Sequence, residues 1–82
     1  MAIYLVSFQY GKETLKYSVE AEELQIDDRR GFADMARNAM FVALDSIPES
    51  ERIHAAHDFE IYKVLDFHSN QYEFLYAFPS LS

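Results

Sequence analysis

The sequence predicts an α+β fold, a four-stranded antiparallel sheet with one main helix on one face, in the order ββαββ. Three observations predict it. Two strand-like runs flank Gly11-Lys12, apolar residues recur at spacings of three and four from Phe32 to Ile47, and a second pair of strand-like runs flanks Ser69-Asn70. With 82 residues the chain has room for one domain, residues 1–82. Half of it is hydrophobic, too much apolar surface for a disordered chain.

Residues 3–10 and 14–21 form the first hairpin. Glycine at the first central position of a two-residue turn accepts the positive φ that such turns require, so Gly11-Lys12 sets the register. That register opposes Tyr10 to Glu13, Phe8 to Leu15, Val6 to Tyr17 and Tyr4 to Val19. Opposed residues share a sheet face, and this face is apolar. The other face carries Ser7, Gln9, Lys16, Ser18 and Glu20, but also Ile3 and Leu5.

An acidic stretch follows, with Glu20, Glu22, Glu23, Asp27 and Asp28. Asp27 or Asp28 can cap a helix by accepting a hydrogen bond from its free amides, and acids suit the positive end of the helix dipole. From there the apolar positions Phe32, Met35, Ala36, Ala39, Met40, Ala43, Leu44 and Ile47 share one helical face. Pro48 ends the helix, because its ring clashes with the preceding turn. It can also begin a short second helix running through Ala56.

Residues 58–67 and 72–78 form the second hairpin, with Asn70 suited to the left-handed conformation. A regular ladder opposes Phe67 to Tyr72, Leu65 to Phe74 and Ile61 to Phe78 on the inner face. On the outer face it opposes Val64 to Leu75 and Tyr62 to Ala77, and it sets Asp66 against Glu73, an unfavourable like-charge pair. The expected core is Phe8, Leu15, Tyr17, Val19, Met35, Ala39, Ala43, Ile61, Leu65, Phe74 and Tyr76.

Composition narrows the function. No cysteine is present, which excludes a disulfide framework, a thiolate zinc site and a cysteine nucleophile, and favours a reducing, cytoplasmic setting. No apolar run reaches the ~20 residues that span a bilayer, so no membrane role is expected. Met1 to Val6 lacks a basic leader and reads as a strand, not as a signal peptide. The net charge is −7 and the seven cations are scattered, which disfavours direct nucleic-acid binding.

Catalytic signatures are lacking. Two glycines, Gly11 and Gly31, cannot build a phosphate-binding loop, and no serine sits in a nucleophile elbow. His54 and His57, three apart, could share a helix face as metal ligands, but two ligands fall short of a zinc site. His68 flanks the second turn. Lys63, the one charge at an inner strand position, is expected to extend its ammonium to water. No catalytic, cofactor or metal site is expected.

Two packing anomalies remain. Phe41 falls in line with Asp34, Arg37, Asn38 and Asp45 on the polar side of the helix. The outer sheet face, with Ile3, Leu5, Tyr62, Val64 and Leu75, needs a cover beyond the single helix. That cover is the segment after Pro48, the tail from Pro79 to Ser82, a protein partner, or a second copy of the chain.

In length, charge and ββα-type organisation the chain resembles small phage-encoded inhibitors of host defence, such as some anti-CRISPR proteins. The resemblance implies a non-enzymatic blocker whose acids Glu20, Glu22, Glu23, Asp27 and Asp28 meet a basic groove in place of nucleic-acid phosphates, while exposed aromatics anchor it. The alternative is an antitoxin or regulatory subunit that forms a homodimer through its sheet face. The first reading needs acids gathered on one face; the second needs only an apolar patch.

Overall fold

The computed structural model describes residues 1–51 and 55–81. Strands β1 (Ala2–Tyr10) and β2 (Glu13–Ala21) precede the helix α1 (Arg29–Asp45), and β3 (Ala56–Asp66) and β4 (Gln71–Phe78) follow it. They form one antiparallel sheet in the order β2-β1-β3-β4, so the two hairpins join through their first strands. Among the described residues the connection after α1 holds one 3-10 turn, Glu49–Glu51. The second helix expected to run from Pro48 through Ala56 falls in part on residues 52–54, which lie outside the described residues, and is not found in the described part. Ala56 already opens β3, where it pairs with Tyr10.

The first hairpin has the predicted register throughout, from Tyr10 opposite Glu13 to Tyr4 opposite Val19. Gly11 takes φ 62°, the conformation its lack of a side chain permits. The helix starts where the acids predict, since the Asp28 carboxylate accepts the Gly31 amide at 2.9 Å. At its other end the Ser46 hydroxyl and amide both donate to the Ala43 carbonyl before Pro48 closes the turn.

Phe32, Met35, Ala36, Ala39 and Ala43 are buried on the sheet, as their spacing demands. The Phe32 ring lies edge-on to Tyr4 of β1 at 5.8 Å and against Tyr76 of β4 at 4.9 Å. Phe8, fully buried, stacks on Phe59 at 5.1 Å. The connection from β2 to α1 crosses this inner side and is tied to three strands. Tyr4 accepts the Leu24 amide, Lys63 bonds the Glu23 carboxylate, and the Tyr76 hydroxyl donates to the Ile26 carbonyl.

The second hairpin departs from the expected regular ladder. Phe59 opposes Phe78 and Ile61 opposes Tyr76, yet Tyr62 opposes Phe74, leaving Leu75 as an extra residue in β4. A further irregularity at Leu65 brings Asp66 opposite Gln71. An extra residue inverts every side chain beyond it. Phe74, expected in the core, is therefore 53% exposed, and Leu65, also expected there but itself the unpaired residue of the second irregularity, is 56% exposed. Leu75, expected on the outer face, packs against the core instead. The charges supply a physical reason: the regular ladder opposes Glu73 to Asp66, whereas the bulged one opposes Glu73 to Lys63. Tyr76 and Phe78 stay inward, where Phe78 lies under the Arg29 guanidinium at 4.7 Å.

A third irregularity sits between β1 and β3. Ser7 opposes Glu60 and Gln9 opposes His57, so Asp58 and Phe59 together face Phe8, with Asp58 at φ 54°. The Asp58 amide donates to the Pro79 carbonyl, and Leu81 turns to the helix side, packs on the core and accepts a hydrogen bond from Arg37. The described part of the tail thus does not cover the outer face.

Candidate interaction surface

The strand pairings place the outer face in rows. Glu20 opposes Ile3 at one end, and Val64 opposes Tyr72. The next row runs Ser18, Leu5, Tyr62, Phe74, and the third runs Lys16, Ser7, Glu60, Ala77. Thr14, Gln9 and His57 make the fourth. The face is therefore divided: its first two rows are apolar over β1, β3 and β4, and its last two are polar.

Ile3, Leu5, Tyr62 and Val64 are half-buried, while Tyr72 and Phe74 are exposed. Phe74 meets Tyr62 edge-on, with ring centres 5.6 Å apart. The Tyr62 hydroxyl donates to the Glu60 carboxylate at 2.6 Å, and that bond to a carboxylate pushes the Tyr62 hydroxyl pKa up. Leu65, near the end of β3, and Phe67, just past it, are each at least half exposed. An open depression lined by Leu5, Ser7, Lys16, Glu60, Tyr62 and Tyr72 spans the boundary between the two halves.

The structure brings together Ile3, Leu5, Tyr62 and Val64 from the predicted surface and removes Leu75. It adds Tyr72 and Phe74, which the regular ladder misplaced; the like-charge pairing of Asp66 with Glu73 was the signal in the sequence against that ladder. Phe41 is exposed beside Val42 on α1, in the layer opposite this face, and does not join it.

The five acids do not gather. Glu20 stands at the β2 edge of the outer face, while Glu22 and Asp27 are exposed along the connection. Glu23 is bonded to Lys63, and Asp28 is occupied as the helix cap. The Lys63 ammonium holds the Glu23 carboxyl below the usual carboxylate range, chiefly through their hydrogen bond, and the same bond raises the Lys63 pKa. Lys63 thus finds a carboxylate where water was expected.

His57 contacts Asp58, Nδ1 to Oδ2, at 2.9 Å, and both are exposed. His54 lies outside the described residues. Among the described residues no group of three or more His, Asp or Glu side chains could hold a metal ion. No described helix is long and apolar enough to cross a membrane. No protein-family model, no curated protein and no solved structure matches this chain.

Proposed function

We propose that this chain is a non-catalytic protein-interaction domain that docks a protein partner through the apolar half of its outer sheet face. One observation supports the reading. Ile3, Leu5, Tyr62, Val64, Tyr72 and Phe74 lie side by side where no described segment covers them. Leaving such a contiguous patch in water gains the monomer nothing, and aromatic side chains set among aliphatic ones are the usual anchors of an interface.

A phage-type inhibitor of a host system and a regulatory subunit are both forms of this activity. The acidic-footprint version draws less support, since Glu23 and Asp28 already serve the fold and the remaining acids are spread. Affinity capture from host lysate tests the surface. Capture should be lost with Phe74→Glu and retained when Glu22 and Asp27 are neutralised together. The opposite pattern refutes the sheet-face reading and returns the acids to the lead.

A further inference from the structure

We propose that the partner on this face is a second copy of the chain, packed sheet on sheet about a two-fold axis that runs along the strands between β1 and β3. The inference rests on the docking surface above and names its occupant. It follows from the register. An axis so placed lays β1 over β3 of the second copy and β2 over its β4, row upon row. Ile3 then lies over Val64 of the second copy and Leu5 over its Tyr62, and symmetry repeats both contacts.

The polar half is compatible with the same axis. Ser7 lies over Glu60 of the second copy, and Lys16 lies over its Ala77, one strand from that glutamate. Strands ~4.8 Å apart in sheets stacked ~10 Å apart put the Lys16 ammonium within reach of that carboxylate. Lys16 has no ion pair within its own chain among the described residues. Two Lys16–Glu60 pairs therefore form across the axis and offset the diagonal approach of the two Glu60 carboxylates, which lie one strand from each other in the same row.

Net charge points to the same face. Its four rows hold one lysine and two glutamates, a net of −1 out of the −7 of the chain. Two copies repel each other least when they meet through this side. Four strands ~4.8 Å apart and ~27 Å long present ~500 Å² in projection, somewhat below the ~800 Å² per partner of a standard interface. The assembly is thus a reversible dimer with a dissociation constant of order micromolar.

Analytical ultracentrifugation of the purified chain from about 1 to about 200 μM tests this directly. A monomer–dimer equilibrium is expected, tightening as salt rises from about 0.05 to 0.5 M, because the self-repulsion of the copies is screened while apolar contacts are not. Leu5→Glu should be monomeric throughout, with Phe74→Glu weakened in parallel as a variant at an already exposed position. Lys16→Glu and Glu60→Lys should each weaken self-association at least tenfold, and the two mixed together should form heterodimers, since each then supplies what the other lacks. A wild-type chain that stays monomeric at the highest concentration and salt overturns the second copy as occupant; the docking surface itself then stands or falls on the capture experiment. A dimer that survives Leu5→Glu and Phe74→Glu overturns the location. Loss in those two variants without heterodimers on mixing overturns the two-fold geometry.

Discussion

Replacing Phe59 and Phe74 with alanine, one at a time, measures the bulge in β4. Phe59 is 1% exposed, stacks on Phe8 and opposes Phe78 across the ladder. Its ring removes ~200 Å² from water, which at ~25 cal/mol/Å² is worth ~5 kcal/mol, and core Phe→Ala changes cost ~3–5 kcal/mol. Phe74 is 53% exposed, so no more than ~100 Å² is at stake, or ~2.5 kcal/mol. Even that is an upper bound, because the unfolded chain already buries part of its apolar surface and no cavity forms at an open site. The regular ladder reverses the expectation for Phe74, which it buries opposite Leu65.

Total stability for a domain of this length is of order 4–12 kcal/mol, so the comparison needs Phe59→Ala to stay folded. Phe59→Leu set against Phe74→Leu provides the fallback, at ~1 kcal/mol or slightly more for the buried ring and less for the exposed one. Urea unfolding followed by circular dichroism reads the midpoints. Phe59→Ala should shift the midpoint at least twice as far as Phe74→Ala, with similar slopes. A Phe74→Ala loss equal to that of Phe59→Ala would refute the bulged register.

The remaining predictions concern the ends and ties of the fold. Asp28→Ala should cost ~1 kcal/mol by thermal melting, since it frees the Gly31 amide, and Asp28→Asn should restore most of the loss. A Cβ on Gly31 would meet the Asp28 carboxylate at 2.5 Å, so Gly31→Ala should be near neutral in the parent chain but stabilise the Asp28→Ala background by ~0.5–1 kcal/mol. Glu23 titrates below its ordinary range when folded, so its contribution to stability is present above that range and is lost as pH falls through the lowered folded value. Asp66, lowered by hydrogen bonds from the Ser69 side chain and the His68 amide, behaves with the same sign. Lys63 is raised, so its share is intact below the ordinary lysine range and disappears as pH rises through the folded value. Unfolding measured against pH should therefore weaken at both extremes, and Glu23→Gln should flatten both limbs; an unchanged profile would show that the tie contributes nothing.

The sequence determined by itself whatever depends on neighbours along the chain. Gly11-Lys12 specifies a two-residue turn, and a two-residue turn dictates the whole register of the first hairpin, from Tyr10–Glu13 to Tyr4–Val19. The spacing from Phe32 to Ile47 decided which side of α1 faces the sheet, and Asp28 decided where the helix begins. The second hairpin lacked that determinacy. Its turn spans Phe67 to Asn70, with only Asn70, at φ 53°, in a left-handed conformation. Several ladders therefore satisfy the alternation of β4 about equally well, because Tyr72, Phe74, Tyr76 and Phe78 are all aromatic and any of them can face inward. Tyr76, bonded to the Ile26 carbonyl, and Phe78, under Arg29, face inward in either ladder; what the bulged ladder alone supplies is Glu73 opposite Lys63. That ladder puts Leu75 inside and Phe74 outside. The apolar half of the outer face therefore exists in its observed form because a bulge inverted half of one strand, a choice that the like charges of Asp66 and Glu73 signalled in the sequence but that only the packed sheet located at Leu75.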